Sequence, residues 1–142
     1  HFLAGESPVV QVAGLRLVPD DDANLNDTVS ISLRFADGSL GQINYFANGS
    51  SDYPKERLEV FSEGRVLRMD NFRRLECFGG HGKNRRSWSQ DKGHTEELRA
   101  FVEAVRTGAE SPVRFESVLD TAKATIAALK AIETQTVISI DR

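Results

Sequence analysis

The sequence predicts an α+β fold, in which a mostly antiparallel sheet carries helices packed on one face. Two changes of pattern support this prediction. Residues 9–78 contain short apolar runs with a period of two, separated by turn-forming residues, and residues 95–133 change to a helical period. A last apolar run covers residues 137–140. We therefore predict a single domain over residues 1–142, with the sheet first, two helices next and a final added strand.

The first half of the predicted sheet contains three strands. The first covers residues 9–18 and ends where turn-forming residues begin at Pro19. The second, at residues 28–35, has an apolar side chain at every second position, which is typical of a strand with one buried face. The third covers residues 40–46 and follows an Asp37-Gly38 turn, the strongest hairpin signal in the sequence.

The second half of the predicted sheet contains three more strands, at residues 57–61, 66–69 and 72–78. The pair Glu63-Gly64 joins the first two, and Asp70-Asn71 precedes the third. Strands joined by turns this short pair with their neighbours in the antiparallel sense.

Two amphipathic helices are predicted to follow the sheet. In the first, Thr95 is the expected N-cap and Gly108 the expected stop. Four apolar residues recur at helical spacing between them: Leu98, Phe101, Val102 and Val105. We expect them to dock on the sheet, because burying each side chain is worth roughly 1.5–3 kcal/mol. The second helix is predicted at residues 117–133, where alanines flank an apolar stripe.

Composition and charge argue against several classes of function. The net charge of −3 is spread along 142 residues, so we expect neither nucleic acid nor a membrane as partner. No apolar run approaches the roughly 20 residues that span a bilayer, and no signal peptide pattern is present. The single cysteine, Cys77, has no second ligand at metal spacing, so no metal site is predicted. We expect a soluble, cytoplasmic domain.

Four segments carry a resemblance to a known family. They are Phe2-Leu3-Ala4-Gly5, Phe35-Ala36-Asp37-Gly38-Ser39, Pro54-Lys55-Glu56-Arg57-Leu58-Glu59-Val60-Phe61 and Asp91-Lys92-Gly93-His94. In this order and spacing they resemble the C-terminal domain of the Gfo/Idh/MocA family of nicotinamide-dependent sugar and cyclitol oxidoreductases. The resemblance implies that residues 1–5 end the helix joining two domains, and that the open face of the sheet forms a homo-oligomer. It also implies a small carbohydrate-like substrate, bound between this domain and an upstream Rossmann domain that holds NAD or NADP.

The chain lacks the parts of such an enzyme that bind the cofactor and transfer the proton. A dinucleotide site needs a glycine turn between a strand and a helix, whereas the glycines at 79–82 precede a basic loop. His1 is too close to the joining helix to match the family's catalytic histidine, and it is either native or left from a purification tag. We therefore predict no catalytic and no cofactor-binding residue here, and no activity for this fragment alone.

Five polar residues form the predicted substrate-binding set: Tyr45, Asn48, Lys55, Lys92 and His94. The first three lie at or beyond a strand end, where they offer hydroxyl, amide and ammonium groups to a polyol, although strand ends are commonly polar. Lys92 and His94 precede the first long helix. There a histidine caps the helix, packs against the sheet, positions a substrate or transfers a proton. We favour capping or positioning.

The basic loop of Lys83, Arg85 and Arg86 beside Trp88 has two interpretations. It is either solvated or holds the phosphate of a nucleotide sugar. Two functions remain for the whole chain. The first is the substrate-binding and oligomerising half of a sugar, inositol or nucleotide-sugar dehydrogenase. The second is a non-catalytic binding or scaffold domain that self-associates through its sheet.

Overall fold

The computed structural model describes residues 2–5, 7–17 and 27–141. They belong to two compact units: unit 1 is His1–Gly49 with Val113–Arg142, and unit 2 is Ser50–Pro112. A short 3-10 turn, Phe2–Ala4, precedes the regular elements. These are β1 (Val9–Arg16), β2 (Thr28–Phe35), β3 (Leu40–Phe46), β4 (Arg57–Ser62), β5 (Arg65–Asp70), β6 (Arg74–Phe78), β7 (Arg85–Arg86), α1 (His94–Thr107), α2 (Phe115–Thr134) and β8 (Ile138–Ser139).

Unit 1 is an antiparallel sheet with one helix on its apolar face. The strand order is β3-β2-β1-β8, and α2 packs against β1. The core contains the buried residues Val9, Val12, Phe35, Ala127 and Ala128. The helix approaches the sheet so closely that a Cβ added to Gly14 would lie 2.7 Å from Ile132 Cγ1. Small residues on both elements therefore set the spacing of this layer.

The opposite face of this sheet is polar and carries no helix of the unit. Ser30 Oγ donates to Asn44 Oδ1 at 2.8 Å, and Ser32 Oγ donates to Gln42 Oε1 at 2.6 Å. Gln42 Nε2 donates back to Ser30 Oγ at 2.8 Å, which links β2 and β3 side by side. Three exposed apolar residues share this face: Leu15, Leu40 and Phe46.

Unit 2 contains the second antiparallel sheet, of order β4-β5-β6-β7. Side chains alternate between its two faces, so the strand register defines one half-buried apolar face and one charged face. The apolar face carries Leu58, Val60, Leu67, Met69, Leu75 and Cys77. The charged face carries Arg57, Glu59, Arg68, Asp70, Arg74, Glu76 and Arg86.

Helix α1 of unit 2 differs from the prediction in its burial. It ends at Gly108, as predicted, and Gly108 adopts the left-handed conformation with φ 68°. It buries no residue, and its four apolar side chains stay 56–69% exposed. The expectation that they dock on the sheet is wrong. An amphipathic pattern indicates that one side of a helix can pack against an apolar surface. It does not identify the element that provides this surface.

The structure confirms the α+β class with antiparallel pairing and helices. The strands form two four-stranded sheets instead of one, and the segment from Ala47 to Glu56 connects β3 of the first sheet to β4 of the second. β6 begins at Arg74, later than predicted, since Asn71 and Phe72 form the preceding turn with φ 48° and 53°. The predicted end of the first strand, the loop from Pro19 and His1 lie outside the described residues.

Candidate functional site

Two of the predicted site residues lie in unit 1. Tyr45 is on β3 opposite Val29 of β2, and its side chain is 59% exposed. Asn48 lies in the turn that follows β3 and is also exposed. The backbone of this turn is tied to the start of β2 because the Ala47 N–H donates to the Asp27 carbonyl at 2.9 Å. Both side chains are therefore held on ordered backbone and face solvent.

The structure brings Lys92 to the start of β4 in unit 2. Its ammonium forms an ion pair with Glu56 and lies 5.7 Å from the centroid of the Phe72 ring. The Glu56 carbonyl also accepts the Asn71 N–H at 2.7 Å. Lys55, the neighbour of Glu56 in the sequence, is exposed. Lys92 is thus held in place by the Glu56 carboxylate. Lys55 lies in the same segment as Glu56 and is exposed to solvent.

Helix α1 begins without a side-chain cap, which corrects the prediction for Thr95. The N-cap residue is Gly93, with φ 81°, so Thr95 lies within the first turn. No side-chain hydrogen bond caps the helix, and capping is therefore not what His94 does. The His94 ring is 76% exposed, and its Nδ1 lies 3.9 Å from Glu97 Oε2. The turn before it is held by Asp91 Oδ1, which accepts the Gly93 N–H at 2.9 Å.

A network of ion pairs covers the charged face of the second sheet. Arg68 Nη2 lies 2.5 Å and Arg74 Nη2 2.6 Å from the carboxylate of Glu76, which is buried. The hydrogen bond from Arg68 is the main cause that holds the pKa of Glu76 below its usual range. The Arg68 guanidinium also lies 5.8 Å from the centroid of the Phe78 ring. The two arginines therefore keep this carboxylate ionised.

A cavity of about 660 Å³ opens beside this network, entirely within unit 2. We call it the arginine pocket. It is lined by Pro54, Asp70, Asn71, Arg73, Arg74, Leu75, Glu76, Asn84, Arg85, Arg86, Ser87 and Trp88. The sequence indicated a basic loop here but not the short strand β7, which pairs Arg86 with Arg74 and Arg85 with Leu75. That pairing places Arg86 beside Arg74 on the charged face of the sheet and Arg85 beside Leu75 on its apolar face.

Two absences hold for residues 2–5, 7–17 and 27–141. No group of three or more His, Cys, Asp or Glu side chains among them is placed to hold a metal ion. None of the helices in this part of the chain is long and apolar enough to cross a membrane.

Comparison with known proteins finds similarity at the level of structure. No protein-family model and no curated protein matches the sequence. An aldose-aldose oxidoreductase from Caulobacter crescentus, solved with glycerol, matches 98% of this chain with a TM-score of 0.77 and 19% identity. The chain has the fold of such oxidoreductases. An oxidoreductase from Agrobacterium radiobacter, solved with NAD+, L-tartaric acid and magnesium, matches 93% with a TM-score of 0.73 and 15% identity.

A third match is UDP-N-acetylglucosamine 3-dehydrogenase from Acidithiobacillus ferrooxidans, which covers 90% of this chain with a TM-score of 0.72 and 11% identity. The chain spans only 42–43% of the length of these three proteins. The resemblance to the C-terminal domain of the Gfo/Idh/MocA family is thus confirmed for the fold.

Proposed function

We propose that this chain is the substrate-binding and oligomerising domain of a nicotinamide-dependent oxidoreductase acting on a sugar, an inositol or a nucleotide sugar. The observation that carries the proposal is the asymmetric structural match: at least 90% of this chain fits within 42–43% of each oxidoreductase. The names and bound molecules of those proteins include NAD+, an aldose and a UDP-sugar. The cofactor, NAD or NADP, is then bound by a part of the enzyme outside this chain.

Within this function, Lys92 and His94 position substrate hydroxyls and do not transfer the proton. Lys92 is supported by Glu56, and the Gly93 turn allows a ligand to approach the backbone closely. His94 offers an exposed ring next to that turn. Tyr45, Asn48 and Lys55 supply further hydrogen-bonding groups to the same class of substrate.

The proposed oligomer forms through the open face of a sheet, with a second copy of this chain as the partner. In unit 1, the face opposite α2 exposes 69% of Leu15, 76% of Leu40 and 60% of Phe46. Exposed apolar side chains on an uncovered sheet face favour association. The sequence also pointed to Leu67, Met69, Phe72 and Phe78 of unit 2. The first two are half-buried, and the last two are 37% and 49% exposed.

The test compares the full-length natural protein with residues 1–142 alone. Both are assayed for reduction of NAD+ and NADP+ with a panel of aldoses, inositols and nucleotide sugars. We expect turnover of at least one panel member by the full-length protein and none by residues 1–142. A full-length protein that binds no nicotinamide dinucleotide and oxidises no polyol would overturn the proposal and favour a self-associating scaffold domain.

A further inference from the structure

We propose that strand β3 is a docking edge for a second copy of this chain, and that two β3 strands pair in the antiparallel sense about a twofold axis at Ile43. The first sheets of the two copies then join into one continuous sheet. This inference rests on the proposed self-association for its partner but names a different surface. Backbone groups at the edge of the sheet form the contact, and the open face of the sheet does not.

Strand β3 differs from the other sheet edges in having nothing that blocks pairing. It ends the order β3-β2-β1-β8, and among the described strands it pairs with β2 alone. Its seven residues include no charged residue and no proline. Sheet edges are commonly protected by charge, proline or short length. The other edges of the described sheets have such protection, because β7 and β8 have two residues each and β4 carries Arg57 and Glu59.

Alternate residues of β3 direct their backbone N–H and C=O groups away from β2. The Phe35 N–H donates to the Ser39 carbonyl at 2.9 Å, just before β3 begins. The Ala47 N–H donates to the Asp27 carbonyl at 2.9 Å, just after β3 ends. The register between β2 and β3 has no shift, so the odd-numbered residues of β3 face β2 throughout. The residues that present their backbone groups to the open edge are Leu40, Gln42, Asn44 and Phe46.

These four residues match themselves when a second β3 runs in the opposite direction about Ile43. Leu40 then lies opposite Phe46 of the second copy, and Gln42 lies opposite Asn44. Each of these is a hydrogen-bonded pair with two bonds, so the four pairs give about eight hydrogen bonds. A shift of the register by one residue would leave the backbone donors and acceptors out of phase. The hydrogen-bonding pattern therefore permits a twofold axis at Ile43.

The side chains of β3 are complementary in the same register. On the polar face, Leu40 and Phe46 form an apolar pair, and both are exposed in the single chain. On the opposite face, Ile43 lies against Ile43 of the second copy, and the Tyr45 ring lies against Gly41, which has no side chain. Aromatic side chains opposite an edge glycine are a known way of covering it. No pair in this register places like charges together, because β3 has no charged residue.

The same pattern favours a second copy of the chain over a different strand. Pairing of β3 with β3 uses one patch on both partners, so the contact closes as a twofold dimer. Pairing of β3 with β8 of another copy would continue without end, but β8 offers two residues. A foreign extended peptide could add to the edge. It would need to reproduce the complementarity that β3 already has for itself.

Charge at position 43 tests the twofold axis. Sedimentation equilibrium of the 142-residue chain gives the dimer dissociation constant, and circular dichroism shows that each variant is folded. Ile43→Lys and Ile43→Glu should each raise this constant at least about tenfold, because like charges then lie opposite each other at the axis. An equimolar mixture of the two variants should recover dimers, since opposite charges then meet. Only a contact that joins position 43 to itself predicts this recovery.

A disulfide tests the register directly. Ile43→Cys is made in a Cys77→Ser background, so that one cysteine remains. The two Cα atoms of a non-hydrogen-bonded pair lie about 4.5 Å apart, within the range that a disulfide spans. Mild oxidation should therefore link the chain into a covalent dimer. Lys130→Cys in the same background is the control for random collision, because Lys130 is exposed on α2 of the same unit, and it should be linked at least about tenfold more slowly.

Leu15→Lys separates this contact from association through the open face, where Leu15 lies on β1 away from the edge. Dissociation by Leu15→Lys without any effect of Ile43→Lys would overturn the edge contact and leave the proposed oligomer intact. A chain that stays monomeric at all concentrations would overturn both. Equal rates of disulfide formation at positions 43 and 130 would overturn the register. Assemblies that grow beyond a dimer through β3 would overturn the closed twofold contact.

Discussion

Helices α1 and α2 share a helical period in the sequence and differ in what they contact. α2 buries Ala127, Ala128, Ala131 and Ile132 against the first sheet, whereas α1 buries no residue at all. The difference follows side-chain size: alanines allow α2 to approach β1 closely, and Gly14 opposite Ile132 completes that fit. The apolar stripe of α1 consists of larger side chains, Leu98, Phe101, Val102 and Val105, which stay exposed. Small residues on both partners therefore predict packing better than amphipathicity alone.

The two sheets differ in a related way. The sheet of unit 1 uses one face for an apolar core and links its other face through neutral hydroxyl and amide groups. The sheet of unit 2 carries ion pairs on one face and places its arginine pocket beside them. Unit 1 thus has the features of a scaffold, while unit 2 presents most of the charged groups available to a ligand.

The largest expected effect is on the core of unit 1. Ile132→Ala should lower the free energy of unfolding by about 2–5 kcal/mol, because Ile132 is 5% exposed and packs against β1. Ile126→Ala is the matched control in the same helix, where the side chain is 67% exposed and the expected loss is below about 0.5 kcal/mol. Urea denaturation measures both. Equal losses would contradict the packing of α2.

A smaller effect is expected from the ion pair of Lys92 and Glu56. Lys92→Ala should cost about 1 kcal/mol, near the upper limit for a surface pair. Both side chains are only about a third exposed, at 36% and 33%, and Glu56 Oε2 is buried without a described hydrogen-bond partner. Replacing Glu56 by glutamine in the same variant should recover part of the loss. A double variant less stable than Lys92→Ala would show that the pair does not act as described.

The ion pairs of Glu76 with Arg68 and Arg74 should make the free energy of unfolding depend on pH in the acid range. Because the pKa of Glu76 is held below the usual 4.5, its contribution is present above that pH and is lost as the pH falls through the lowered value. Glu76→Gln should make the acid loss of stability less steep, while neighbouring Glu63→Gln, an exposed residue 3.9 Å from Arg65, should not. Urea midpoints measured across the acid range report this. An unchanged slope in Glu76→Gln would contradict the network.

The smallest effect is expected on α1. Phe101→Ala should change the free energy of unfolding by less than about 0.5 kcal/mol, because the Phe101 side chain is 56% exposed. The same urea titration applies. A loss as large as that of Ile132→Ala would show that α1 is buried and would remove the contrast between the helices.

The elements that the sequence predicted well are those with local signals. β2 and β3 begin and end where alternation and the Asp37-Gly38 turn place them, and Gly108 ends α1 as expected. Whether α1 docks on another element depends on contacts distant in sequence, and β7 depends on pairing between loop residues and β6. The arginine pocket follows from that pairing, so the sequence indicated its residues without their arrangement. The roles of the five predicted site residues stay predictions.

The most direct test of the proposed function measures steady-state kinetics of the full-length enzyme with Lys92→Ala and His94→Ala. A residue that binds the substrate equally in the ground and transition states affects KM and leaves kcat largely intact. We predict a rise in KM of about tenfold, corresponding to roughly 1.4 kcal/mol of lost binding, at nearly unchanged kcat. Melting temperatures of the same variants separate this from a loss of folding. A fall in kcat at unchanged KM would contradict the account.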